Sequence, residues 1–185
     1  MIKKIHSVLG LLLCTVLTAH MVASGLLMAH MVNMGLWFKI MSHLLLTIFM
    51  AHLLLTFIPM LLNYTDSKQK AYTRLNLRCY LQRMSGLVIV ALMHPHFTAF
   101  VEPDVPVTMK SLFALIAMIA LVLFCCVHIS ISIPKALVGL GVIVEEKTLA
   151  RVEKICLVLA FAVGAFAIFG ACSLASFSGL FGGAL

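Results

Sequence analysis

The sequence predicts an all-α membrane protein: five transmembrane helices in one bundle, with the N-terminus cytoplasmic and the C-terminus outside. Composition is the first reason. Of 185 residues, 63% are hydrophobic and 10% charged, with a mean hydropathy of +1.17; soluble domains run nearer to about 45–50% apolar and about 25% charged. The second reason is that the apolar residues fall into five runs, each meeting the roughly 20 residues a bilayer requires. The third is charge placement, which sets the orientation.

The first run, about residues 5–32, follows Lys3 and Lys4. It is too long for the apolar region of a signal peptide and lacks a small-residue cleavage site, so it reads as a retained helix. The second covers about 37–62, beginning at Trp37. A basic connector, "NYTDSKQKAYTRLNLRCYLQR", with Lys68, Lys70, Arg74, Arg78 and Arg83, leads into the third, about 81–101. A connector holding Glu102, Asp104 and Lys110 precedes the fourth, about 109–133. Lys135, Lys147, Arg151 and Lys154 lie between or flank the fourth and the fifth, about 152–177. The Gly/Ser-rich end, "SFSGLFGGAL", is expected to fray.

If the runs alternate in direction, eleven of the thirteen Lys and Arg fall on one side, and only Lys39 and Lys110 on the other. Basic residues near helix ends mark the cytoplasmic face, so helices one, three and five run outward. The formal charge of +7 then reads as topology rather than as nucleic-acid binding. Residues 1–185 form a single domain with no internal repeat and no separable soluble part. The six cysteines form no C-x-x-C pair and mostly lie in apolar runs, where Cys behaves as a small hydrophobe. No disulfide framework is expected.

The histidines carry the chemical signal. An ionisable side chain inside a membrane is expensive and by default functional. With a rise of about 1.5 Å per residue, position along a helix becomes depth. His20 is fourteen residues beyond His6, about 21 Å from the inner face. His96 is thirteen beyond Arg83, about 20 Å along. His52 is eleven before Asn63, about 16 Å in. His128 is seven before Lys135, about 10 Å in. Four helices thus each hold a deep histidine, at an outer level (His20, His96) and an inner level (His52, His128). His30 and His43 fall near the outer interface, where water solvates them, and His6 at the inner one. His94 competes with His96 in "ALMHPHF": two residues apart, they point to different faces, and spacing alone leaves the choice open.

Two bis-imidazole sites stacked across a bilayer would use this arrangement. A haem iron that only passes electrons has both axial positions filled, and neutral imidazole is a good axial ligand. Bundle cores are where such cofactors sit. Ser7, Arg83 and Lys135, at the inner interface, are candidates for contacts to haem propionates, where a cation or hydroxyl meets a carboxylate.

The stretch "YLQRMSGLVIVALMHPHF", residues 80–97, resembles the Q-R-x-[ST]-G…H region of succinate dehydrogenase and fumarate reductase cytochrome b subunits. In their five-helix, two-haem branch the His follows the Gln by about fourteen residues, which favours His96. "IHSVLGLLLCTVLTAH" is similar to that branch's first helix, which leads to a ligand at the position of His20. "VHISISIPKALVGLGVIV" is similar to its fourth, where the ligand His is followed by a Gly thirteen residues on, here His128 and Gly141. In the second helix "FKIMSHLLLTIFMAHLLLT" offers His43 or His52, and position favours His52. The resemblance implies two haem b groups, one on His20 and His96, the other on His52 and His128. It also implies a membrane anchor that passes electrons between a quinone, menaquinone-type by this analogy, and two cytoplasmic partners in the inner membrane of the cell: an iron–sulfur protein and a flavoprotein that interconverts succinate and fumarate. The anchor alone would not act on succinate or fumarate. Consistent with that division, the chain has no G-x-G-x-x-G next to a strand and no clustered Cys for an iron–sulfur centre.

Three other readings compete, one of them a structural membrane subunit with no cofactor. A di-haem anchor of another quinone-linked enzyme, such as nitrate reductase or hydrogenase, would also pair membrane histidines, but the Q-R-x-S-G register argues against it. A copper-handling transporter would use Met28, Met31 and Met34 beside His30, since thioethers suit Cu(I); that run occurs once, away from the deep histidines.

Overall fold

A computed structural model describes residues 2–31, 35–62, 73–100 and 112–177. They form five helices: α1 (Ile2–Met28), α2 (Leu36–Leu62), α3 (Thr73–Phe100), α4 (Leu112–Leu140) and α5 (Glu146–Phe177). Four of these, α1, α2, α4 and α5, are long and apolar enough to cross a membrane, which makes the chain a multi-pass membrane protein. α3 does not meet that criterion, because Arg74, Arg78, Gln82 and Arg83 occupy its first half. The expected outer-side Glu102, Asp104 and Lys110, the connector's Lys68 and Lys70, and most of the C-terminal "SFSGLFGGAL" lie outside the described residues.

Helix ends differ most from the sequence reading where helices run past their apolar runs. α3 begins at Thr73 rather than near 81, α4 continues to Leu140 rather than stopping near 133, and α5 begins at Glu146 rather than near 152. Hydropathy marks only the hydrocarbon-length part of a helix. Backbone hydrogen bonding carries α3 and α5 through the polar sequence before their apolar runs, and α4 past Pro134 and Lys135 into the apolar ALVGL. α4 passes through Pro134 and α3 through Pro95 without a break, as apolar surroundings favour, since only helical bonding satisfies the remaining backbone groups there.

The ends are capped. At the end of α4 the Gly141 N–H donates to Val138 O and the Val142 N–H to Leu137 O, both at 3.0 Å, with Gly141 at φ 78°. That is the Schellman arrangement, which needs a left-handed residue at this point. α1 closes in the same way, with His30 N–H to Leu27 O and Met31 N–H to Leu26 O, but here the left-handed residue is His30, at φ 58°.

The core lies among α1, α4 and α5, which all pack on one another. Small residues on α5 make this possible: Ala160, Gly164, Ala167, Ala171 and Ala175 are all buried. Gly164 packs against Cys126 and Val122 of α4, and Gly170 against the backbone of Gly25 on α1. Without a solvent-driven hydrophobic effect, membrane helices associate through such close backbone approach. Cys126 Sγ adds a bond to the Ala160 carbonyl at 3.1 Å. Among the described residues α2 packs its backbone along α1, and α3 along α4. Among the described residues α2 and α3 do not pack on each other, so a cleft runs between them with α1 and α4 as its floor. One polar tie reaches across the bundle: Arg78 on α3 forms a two-pronged ion pair with Glu153 on α5, one arm at 2.8 Å.

Candidate functional site

Five histidines converge on the cleft. On α1 the stripe His6, Gly10, Leu13, Leu17, His20 follows helical spacing, so both rings leave the same side of the helix. On α2, His52 shares a half-buried face with Leu45, Ile48 and Phe49, while His43 is exposed on the other side and bonds back to the Lys39 carbonyl through Nδ1 at 2.7 Å. On α3, His96 is partly buried and His94 exposed. On α4, His128 is partly buried against α3.

At one level, His20 and His96 face each other with ring centroids 6.3 Å apart and planes turned by 79°. Phe38 stacks on His20 at 5.4 Å, and Phe97 lies 5.9 Å from His96. The Nδ1 atom of His20 is buried without a hydrogen bond, a costly condition for a polar atom.

At the other level the set is larger. His52 lies within electrostatic reach of both His6 and His128. Its ring stacks on that of His6 at 4.9 Å, and its own Nδ1 is buried without a hydrogen bond. The Thr56 hydroxyl donates to the His52 carbonyl at 2.8 Å and so accepts from His6 Nε2–H at 3.1 Å. Sequence reasoning left His6 at the inner interface; the signal that joins it to the site is the fourteen-residue spacing to His20, close to four full turns.

His128 is the best-anchored ring. Its Nδ1 is 3.0 Å from the Gln82 carbonyl and 3.0 Å from Ser85 Oγ. The Ser85 hydroxyl in turn donates to that same Gln82 carbonyl at 3.0 Å. The Gln82 side chain ties α3 to α4: Nε2 donates to Ser132 Oγ at 2.9 Å, and Oε1 accepts from Lys135 Nζ at 2.7 Å. Gln82, Ser85 and Gly86 are the Q, S and G of the motif read in the sequence. Their contact with His128 had no sequence signal, because it joins residues more than forty positions apart.

Two glycines give the rings room. A Cβ on Gly86 would lie 3.3 Å from His128 Cε1, and one on Gly10 would lie 3.6 Å from His52 Cε1. Of the three residues expected near propionates, Ser7 lies against α4, its Oγ beside Gly139. Lys135 is bonded to Gln82 and close to His6 and His128. Arg83 is exposed on α3.

Among the described residues no three or more His, Cys, Asp or Glu side chains converge to hold a metal ion. The facing imidazoles whose geometry is clear are His20 and His96. Met28 is buried and Met31 exposed, at 5% and 66%, so these two residues of the methionine run do not share an environment. An open groove of about 610 Å³ along α1, lined by Cys14, Thr18, Val22, Leu26 and Ile133 among others, holds no histidine. No family model, no curated protein and no solved structure matches the chain.

Proposed function

We propose that this chain is a di-haem cytochrome b: the membrane-anchor subunit of a succinate:quinone oxidoreductase, passing electrons between a membrane quinone and a cytoplasmic iron–sulfur and flavoprotein pair. In this reading α3 is the fifth span, the N-terminus is cytoplasmic and the membrane is the inner membrane of the cell. The observation that carries it is the His20–His96 pair, from two helices whose described residues do not pack on each other. The two rings would hold the iron between them: at metal–nitrogen bonds of about 2.0–2.1 Å, their 6.3 Å spacing leaves room for one metal ion. A site with only two protein ligands suits a haem, whose porphyrin supplies the other four nitrogens, better than a metal held by protein alone.

His20 and His96 would hold one haem, and His52 and His128 the other. A haem held by two imidazoles supplies one-electron transfer with no open position for oxygen. The chain's own residues do the rest. A flat group would lie in the cleft between α2 and α3. Phe38 and Phe97 keep the outer pair of rings dry. Gln82 and Ser85 fix the orientation of His128. Lys135 puts a cation at the inner end, where a propionate would find it. Orientation of the bundle rests on the eleven basic residues of one side, under the positive-inside rule. The quinone and the two soluble partners rest on the Q-R-x-S-G resemblance.

The test is direct. Purified in detergent after haem-replete expression and reduced with dithionite, the protein should show a low-spin b-type α band and two haems per chain. A colourless preparation overturns the reading.

A further inference from the structure

We infer that Ser85 is a positioning residue for the inner site: its oxygen is a second acceptor, beside the Gln82 carbonyl, on the His128 Nδ1–H, and so it sets the redox behaviour of one haem and not the other. The inference rests on the di-haem reading above. Ser85 is 2% exposed, so its hydroxyl has only protein to bond. It lies 3.0 Å from His128 Nδ1 and 3.0 Å from the Gln82 carbonyl, and that carbonyl is itself 3.0 Å from Nδ1.

The proton arrangement follows from what each atom can do. A carbonyl only accepts. Nδ1 of His128 must therefore carry the proton it shares with Gln82, which leaves Nε2 bare and able to bind a metal. The Ser85 O–H also points at the Gln82 carbonyl, so its oxygen lone pairs face the same Nδ1–H. Ser85 and Gln82 together are a two-acceptor clamp on one N–H. The Nδ1 atoms of His20 and His52 have no such bond. His128 is thus set apart from them by a partner supplied by the neighbouring helix.

Local sequence builds the clamp. Ser85 is three residues after Gln82, so its hydroxyl reaches back to that carbonyl within one turn. Gly86 lets the His128 ring approach, with Cε1 3.3 Å from where a Cβ would be. Ser132 and Lys135 hold the Gln82 side chain, and with it the turn that presents the carbonyl.

The chemical consequence has a sign. An acceptor on the distal N–H makes a ligating imidazole more basic, and ligand hydrogen bonding is one of the levers on haem potential. A more basic ligand favours the oxidised iron. Removing the Ser85 oxygen should therefore raise the midpoint of the haem bound through His128.

The experiment is a redox titration of the full-length protein, followed optically and by EPR of the low-spin ferric signals, with Ser85→Ala and Ser85→Cys. The cysteine variant keeps the volume with a poor hydrogen bonder, so it answers even where the alanine cavity disturbs folding. Both should raise one midpoint by about 59 mV, a tenfold change in that haem's oxidised-to-reduced ratio for a one-electron couple, and leave the other in place. Ser85→Thr, which keeps the hydroxyl, should restore it. Two haems with both midpoints unmoved, moved together, or one moved downward overturns this inference while leaving the di-haem reading intact. A wild-type protein without haem overturns the reading itself.

Discussion

His20 on α1 and His96 on α3 bring their rings to 6.3 Å, although the described residues of those two helices have no backbone packing between them. The pair spans the cleft rather than resulting from helix contact.

The first prediction follows from that geometry. His20→Ala and His96→Ala should each lose the same single haem, and the double variant should lose no more than either. His43→Ala and His94→Ala, whose side chains are exposed, should keep two haems per chain. A pyridine haemochrome assay on purified protein reads all five variants, and loss of a haem from His94→Ala with retention in His96→Ala would show the wrong histidine had been chosen.

Space beside His128 gives the second. Gly86 has room for a Cβ only at 3.3 Å from the ring. Gly86→Val adds branched atoms beyond it and should displace His128 from its bond to Gln82, halving the haem content. Gly86→Ala should keep more haem than Gly86→Val. The α-band absorbance per chain checks the order.

The contact between α1 and α5 gives the third. A Cβ on Gly170 would lie 2.5 Å from the Gly25 carbonyl oxygen and 2.9 Å from its Cα. These are backbone atoms and cannot rotate away. Gly170→Ala should separate the helices at a cost of about 1–3 kcal/mol, the usual range for overpacking. A lower thermal midpoint in detergent would register it, and Ala171→Gly, which adds no atoms, serves as the comparison for lost burial without collision.

The cap of α4 gives the fourth. Gly141 has φ 78° and open space around its Cβ position. Gly141→Ala therefore meets no neighbour, and its cost is that of the left-handed backbone alone, about 1–2 kcal/mol. Gly141→Asn should cost less, because Asn tolerates this region better. Thermal unfolding of the three proteins side by side measures the difference.

Four of the helices were legible in the sequence because membrane insertion writes itself into composition: a span must be apolar over its whole hydrocarbon length. α1 and α2 were read to within about four residues at each end, inside the usual error on boundaries. α3 was harder. Its apolar part is short and its first half polar, and only the structure shows one continuous helix from Thr73 that turns Gln82 and Ser85 toward α4. The start of α5 was misread for a related reason, since outside the apolar run hydropathy says nothing about whether the backbone stays helical, and α4 was ended at Pro134 and Lys135, which the helix passes.

The sequence by itself determined that the chain crosses a membrane several times and that His20, His52 and His128 fall inside its long apolar helices, because hydrophobic run length is a one-dimensional quantity. The tertiary structure decided which histidines meet. His52 rather than His43 and His96 rather than His94 face the cleft because each helix buries one side against a particular neighbour. His6 joins His52 because α1 and α2 lie side by side in one register. Ser85 and the Gln82 carbonyl reach His128 because α3 packs along α4. The physical reason is common to all three: which face of a helix is inward depends on what packs against it, and in a membrane both faces are apolar, so the amino-acid pattern alone gives that choice little weight.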